Sequence, residues 1–411
     1  MDFGDTDKEA AFRAEAIAFL EENAKLRAAV EVRGYRRGQD KPGALEAAKA
    51  YQSKKAEAGF AGIAWPKEWG GRGGSQIEQV IFSQEEAKFD VDPRFFQIGL
   101  GMCLPTVCTW GTAEHIERFA QPALRADEVW CQLFSEPAGG SDLAALRTRA
   151  ERDGDDWIIN GQKIWTSGAH YSDFGVLVTR SDFDAPKHKG LTYFFLDMKS
   201  PGIDIRPIKQ MSGSSHFNEV YFDNVRIPDS QRLGAVGDGW KVSLTTLMNE
   251  RFTIGETPGP DVDELLRLVQ ETDGPDGLLA DDPAIEEKIA EWYVRGEGLK
   301  FTRFRTMTAL SRGDTPGPES SINKLVLAPK LQDISAFGLD LLGMAGPDAG
   351  SDMPLEGIFE EALLYSPALR IAGGTDEVMR NIIAERVLGL PSDVRVDKDV
   401  AFNKIPTFSK K

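Results

Sequence analysis

Histidine and cysteine are scarce in this 411-residue chain. It carries 4 His and 3 Cys, the cysteines at Cys103, Cys108 and Cys131. Neither a CxxC pair nor an even disulfide framework can be drawn from three thiols, and scattered histidines do not assemble a metal site, so none is expected. Packed, reduced thiols are the reading, as in a cytoplasmic protein. Basic excess is lacking too: the net charge is −17, which argues against nucleic acid or an anionic membrane as a partner. An anionic small ligand stays open, because helix N-termini and a few local cations can hold phosphate in an acidic protein. No apolar run approaches the roughly 18 residues of a membrane span. The first residues, "MDFGDTDKEA", are acidic and polar where a targeting segment would be basic or apolar, so a soluble, cytoplasmic chain is expected. A complete GxGxxG between strand and helix is missing as well. "GGRGGS" at 70–75 and "LGAVGDGW" at 233–240 therefore read as flexible turns, not as a Rossmann site.

What is present falls into three zones: 1–129, 130–240 and 241–411. In the first, "DKEAAFRAEAIAFLEENAKL" sets Phe12, Ala16, Phe19 and Leu20 near one helical face. "ALEAAKAYQSKKAEAGF" and "AEHIERFAQPAL" repeat the style around a Gly/Pro/Trp loop at 62–74. The second zone holds short β-prone runs. "DDWIINGQKIW" reads as two strands joined by a hairpin turn at Asn160-Gly161. "FGVLVTR", "GLTYFFLDM", "GIDIRPI" and "NEVYFDNVRIP" follow with no helix between them, which predicts an antiparallel sheet. In the third zone four helical stretches return, within 239–256, 284–311, 321–343 and 376–390.

Two segments could carry chemistry. "CQLFSEPAGGSD" (131–142) runs an apolar strand into a proline and two glycines flanked by Ser135 and Ser141. Proline fixes direction, and glycine lets a ligand approach the backbone. "KIWTSGAH" (163–170) sets the Trp165 indole beside Thr166 and Ser167, an arrangement able to stack on a planar ring and reach its polar edge. Each alone is equally a structural turn or a core tryptophan.

Together, "LFSEPAGGSDLAAL" followed by "GQKIWTSGAH" resembles the acyl-CoA dehydrogenase family. So do "GIAWPKEWGG", "NEVYFDNVRIP" and "AGGTDEVMRNIIAERVLGLP", in the same order along nearly the whole chain. The resemblance implies an α+β fold with an N-terminal α-helical domain (1–129), a middle antiparallel β domain (130–240) and a C-terminal four-helix-bundle domain (241–411). It implies FAD held between the β domain and the C-terminal helices, and α,β-dehydrogenation of an acyl-CoA thioester to a trans-2-enoyl-CoA in fatty acid or lipid catabolism. Leu133, Phe134 and Ser135 would border the flavin, Trp165 would pack on it, and Thr166 and Ser167 would lie at its polar edge. Gly140 and Ser141 would meet the cofactor, Ser141 also the substrate's thioester end. Gly343, Thr375 and Glu377 would contribute to the cofactor site from the C-terminal part, and Arg251 would line the acyl-CoA channel. An electron-transfer flavoprotein is the implied acceptor, and a homodimer or homotetramer the implied assembly, with a heterotetramer as the alternative.

Two departures from the pattern stand out. A family base in a Glu-Gly-Thr motif is replaced here by Gly373 in "AGGT", which leaves the family's other base position, Glu250 in "MNER", as the expected proton acceptor. Helical spacing puts Thr246, Leu247, Thr253 and Ile254 on the face of Glu250. Arginine and glutamine that family dimers reach across with are also missing. Glu286, Glu287 and Asp340 stand in those regions, and acidic groups beside a pyrophosphate weaken its binding. A partner subunit that contributes only some FAD sites is therefore a competing reading, and a flavin oxidase of the same fold is a third. Gly99 and Gly101 are read as residues that could widen an acyl channel or simply serve a helix.

Overall fold

The computed structural model describes residues 4–27, 39, 41–252, 259–274, 277–312, 317–318, 321–343, 354–394 and 397–405, with the side chains of 250–252, 310–311, 354 and 356 outside that description. The chain divides into two compact units, each described by itself.

One unit draws on 42–74, 91–254 and 393–411. Its centre is an eight-stranded sheet: β1 (Trp130–Leu133), β2 (Arg149–Asp153), β3 (Asp156–Ser167), β4 (Phe174–Arg180), β5 (Leu191–Asp197), β6 (Ile203–Ile208), β7 (Phe217–Pro228) and β8 (Arg232–Leu233). The order is β6-β7-β3-β2-β4-β5-β8, with β1 also on β4. β4 and β5 are buried along almost their whole length, which explains their unbroken apolar runs. Val176, Val178, Tyr193 and Phe195 point to one core, together with Trp130 and Phe119. Leu177, Phe194 and Leu196 point to the other, with Trp157 and Ile159. That alternation is the two-residue period of a strand. The other helices of this unit are α2 (Ala44–Glu57), α4 (Leu104–Trp110), α5 (Ala113–Leu124) and α6 (Gly239–Phe252).

One sequence expectation is corrected, and the mainly antiparallel sheet is refined. Asn160-Gly161 makes no hairpin: β3 runs straight through it, and the turn lies at Gly154-Asp155, where Asp153 pairs with Asp156. Gly161 is instead needed for close approach. At φ +151° any Cβ would sit within 3 Å of the Thr148 backbone and hydroxyl, and the opposing β7 carries a bulge there. The sheet is also not wholly antiparallel, since β1 pairs with β4 in parallel and β2 touches β4 in parallel at Arg149–Arg180. The connections between those strands pass over loops and other strands rather than a crossover helix, so hydrophobic periodicity held no sign of it.

Local packing also revises the glycine readings. The 62–74 loop is pinned by backbone bonds from Arg72 to Gly62, Gly73 to Trp65 and Gly74 to Ile63, and a Cβ on Gly71 would overlap Trp65. Gly99 starts a widened helical turn, Gly99–Cys103, whose missing Cβ lets it lie against Trp130. Close packing accounts for that glycine without an acyl channel.

The second unit draws on 1–41, 75–90 and 255–392. It holds α1 (Asp7–Asn23), α3 (Gln76–Glu86), α7 (Val262–Glu271), α8 (Pro283–Ser311), α9 (Ser321–Leu342), α10 (Ile358–Leu369) and α11 (Asp376–Ile382). The buried face of α1 is Phe12, Ala16 and Leu20, with Phe19 half-buried. Capping boxes Thr6/Glu9 and Ser75/Glu78 start α1 and α3. Leu265, Ile289, Trp292, Ile334 and Phe359 form the core around α7 to α10. Helices α3, α4, α7 and α10 go beyond the sequence reading; in α7, Val262, Leu265, Leu268 and Val269 line one buried face at helical spacing. Among the described residues no helix is long and apolar enough to cross a membrane, and no group of three His, Cys, Asp or Glu could hold a metal ion.

Candidate functional site

The segment after β1 is built around one buried carboxylate. Glu136 accepts from the backbone N–H groups of Arg147 (2.6 Å) and Thr148 (2.8 Å), which ties both ends of the 136–148 loop together. The ammonium of Lys163, itself fully buried on β3, donates to Glu136 Oε1 and to the Phe134 carbonyl, both at 2.9 Å. Burial pushes the Glu136 carboxyl upward, but the Lys163 charge and the hydrogen bonds outweigh it and hold it below the ordinary range. Burial draws Lys163 below the usual lysine range, with Glu136 opposing. Neither residue was assigned a role from the sequence.

On this frame Leu133 and Phe134 are buried, Ser135 is half-buried, and Gly140 and Ser141 are exposed with open space around Gly140. The Ser135 carbonyl accepts from the N–H of Ile164 at 2.9 Å, which brings the serine beside the end of β3. There β3 bulges: Lys163 pairs with Val220 and Thr166 with Asn218, so one residue is extra. The bulge puts Trp165 at φ +60° and leaves its indole 56% exposed, against the edge of Phe217 at 6.0 Å. An exposed tryptophan in a left-handed conformation is unfavourable twice over. Thr166 is buried, and its hydroxyl has no partner. Ser167 is half-buried.

The backbone of α6 continues through Glu250 and Arg251 to Phe252, while their side chains, and Thr253 and Ile254, lie outside the described residues. One turn earlier the helix is anchored. The buried Thr246 hydroxyl lies 3.0 Å from that of Thr106 on α4 and 2.9 Å from Tyr193 OH on β5, and Trp110 Nε1 donates to the Thr245 hydroxyl at 3.0 Å. Leu247 packs against the adjoining core.

Gly343, Thr375 and Glu377 belong to the helical unit. Gly343 follows α9 at φ +55°. Thr375 caps α11, accepting from the N–H of Val378, and Glu377 is exposed in its first turn. There the backbone N–H and the Thr375 hydroxyl hold its carboxyl below the ordinary range. Gly373 adopts φ +63°, and the Lys324 ammonium bonds the flanking carbonyls of Ala372 and Gly374. Asp376 is buried and paired with Arg370. Glu286, Glu287 and Asp340 are exposed.

Three family models match in chain order: acyl-CoA dehydrogenase N-terminal domain over residues 6–127, middle domain over 131–225, and C-terminal domain over 237–388. A Mycobacterium tuberculosis protein, acyl-CoA dehydrogenase FadE34, is 39% identical over 338 residues. The chain belongs to the acyl-CoA dehydrogenase family. These are FAD-binding oxidoreductases. The match to FadE34 covers 82% of this chain but only 45% of that protein, so the chain spans about half its length. Acyl-CoA dehydrogenase IpdE1 of the same organism is 36% identical, with 86% of this chain and 90% of that one covered. Among solved structures, one described as "Tcur3481-Tcur3483 steroid ACAD" superposes with a TM-score of 0.79 at 26% identity, over 96% of this chain and all of that one. The ChsE4-ChsE5 complex from Mycobacterium tuberculosis gives 0.78 at 27% identity, with the same coverage of each chain.

Proposed function

We propose that this chain catalyses α,β-dehydrogenation of an acyl-CoA thioester, with Glu250 as the α-proton base, and that it does so in assembly with a second chain of the same family. The supporting observation is the bulged end of β3. It holds a planar, solvent-open Trp165 next to Ser135 and Ser167, and these residues fit a flat ring with hydrogen-bonding edges, as FAD requires. Phe134, Gly140, Ser141 and Thr166 complete the proposed cofactor side of this unit, and Gly343, Thr375 and Glu377 are proposed to contribute from the helical unit. In this reading the N-terminal helical domain ends at 129 and the middle β domain at 240.

Bound FAD supplies the acceptor for the hydride that leaves the β carbon. Glu250 takes the α proton onto its carboxylate, the role left to it because Gly373 has no side chain to offer. Ser141 meets the thioester end, Arg251 lines the acyl-CoA channel, and hydrogen bonds to the thioester oxygen make the α proton more acidic. The product is the trans-2-enoyl-CoA, and an electron-transfer flavoprotein is the proposed acceptor for the enzyme's electrons. The hetero-oligomeric part rests on Glu286, Glu287 and Asp340, exposed acids where a pyrophosphate partner would need a cation or a neutral donor. Two structural relatives described as paired chains support it. One of them is described as a steroid enzyme, so a bulky, steroid-type acyl group is the class proposed for this chain.

The test is anaerobic mixing of the FAD-loaded assembly with a steroid side-chain acyl-CoA while flavin absorbance is followed. Rapid bleaching is expected, and Glu250→Gln should slow it by about 10²–10⁴-fold with FAD retained. Normal bleaching in that variant would exclude Glu250 as the base. Full FAD loading of the chain expressed alone would exclude the need for a partner.

A further inference from the structure

Past the last residue matched by the family's C-terminal model, at 388, the chain returns to the sheet unit as a strap. Ala401 forms an antiparallel bridge with Pro186, the N–H of Phe402 donates to Ala185 O (2.9 Å), and the N–H of Asn403 donates to Phe183 O (3.0 Å). Phe402 is buried, and the Arg180 guanidinium lies 3.6 Å from its ring centroid. Arg180 in turn donates to the carbonyls of Leu146 (3.0 Å) and Ala144 (2.5 Å), in the 136–148 loop. A second link runs through Lys187. Its ammonium meets Asp397 of the strap at 2.6 Å and Asp142, the residue after Ser141, at 2.9 Å. Only 11% of the Lys187 side chain is exposed, so the cation is held between two carboxylates and largely out of water.

We propose that residues 397–405 are a built-in strap that fixes the Ser141–Asp142 turn, and that Lys187 is its positioning residue. Glu136 secures the base of the 136–148 loop and exchanges backbone hydrogen bonds with the buried Gly139, but Gly140, Ser141 and Asp142 beyond it are exposed, and Lys187 is the cation that meets this tip. Besides the ammonium, the strap reaches the loop through the Phe402–Arg180 stack. Removing either link loosens the tip while the β4–β5 ladder keeps its own hydrogen bonds. The consequence for binding rests on the reading of Ser141 as a ligand contact. The strap itself does not.

Hydrogen exchange read by mass spectrometry tests this on the full chain and on a chain ending at residue 392, with Lys187→Met and Lys187→Arg beside them. Exchange across 137–146 is expected to quicken at least fivefold on truncation and in Lys187→Met. It should stay near wild type in Lys187→Arg, with 191–197 unchanged throughout. If the truncated chain does not fold, Lys187→Met decides. Unchanged exchange over 137–146, or equal quickening over the whole sheet, overturns the proposal. In the FAD-loaded protein, Lys187→Met should release FAD several-fold faster at an unaltered melting temperature, and Lys187→Arg should restore retention. Loss of the exchange effect sinks the strap. A normal FAD release rate with the exchange effect intact sinks only the reading of Ser141.

Discussion

The ammonium of Lys163 stands 2.9 Å from Oε1 of Glu136, and both side chains are buried. Two backbone N–H groups share the carboxylate and one carbonyl shares the ammonium, so the pair leaves little hydrogen-bonding capacity unused. Desolvation largely cancels the attraction in such a pair, but losing one partner strands a charge. The pair therefore joins the 136–148 loop to β3 and sets where Ser135 and Trp165 stand.

Replacing Lys163 with Met should lower unfolding stability by about 3–5 kcal/mol, because Glu136 would remain buried without its cation. Glu136→Gln combined with Lys163→Met should recover part of that loss. Denaturant midpoints of the two single variants and the double variant measure it, and an additive double variant would refute the coupling.

Asp229 accepts from Trp157 Nε1 (2.7 Å) and from Arg232 (2.8 and 3.0 Å). The Arg232 hydrogen bond is the main reason its carboxyl is held down to about 2. A depressed carboxyl contributes stability above its unfolded value of 3.8, which is lost as pH falls toward about 2. Glu136, also depressed, adds to the same acid-side loss below its ordinary value of 4.5. Asp229→Asn should cost on the order of 1 kcal/mol at neutral pH after solvent screening, and should flatten the pH dependence between about 4 and 2. Thermal melts across that range give the slope.

Trp165→Asn should leave the melting temperature of the FAD-free protein unchanged or slightly raised. The indole contributes little burial, and asparagine tolerates the left-handed conformation better. FAD retention should nevertheless fall about tenfold, as measured by flavin released on gel filtration. Equal retention would remove Trp165 from the proposed cofactor contacts.

Thr246→Val removes the hydroxyl between Thr106 and Tyr193 and leaves Tyr193 OH buried without that partner, at a cost of about 1–3 kcal/mol. Thr246→Ser should restore most of it. Because Thr246 lies one helical turn before Glu250, the valine variant should also slow flavin reduction by the acyl-CoA probe while the serine variant does not.

Much of the architecture is legible in the sequence. Apolar spacing in 7–26 gave the buried face of α1, and the β-prone runs at 174–180 and 190–198 gave two strands of the sheet. The ordered motifs around Ser135 and Trp165 point to the family from the sequence itself. Asn160-Gly161 misled because the same dipeptide that favours a tight turn also permits a close crossing, and only Thr148, thirteen residues upstream of Gly161, decides between them. Residue types, their order and the loss of a carboxylate at Gly373 were determined by the sequence alone. Tertiary structure decided the bulge that turns Trp165 to solvent, the burial of Glu136 with Lys163, and the return of Phe402 to Arg180. Each depends on contacts between residues distant along the chain, whose energies come from desolvation and packing that no local window of sequence contains.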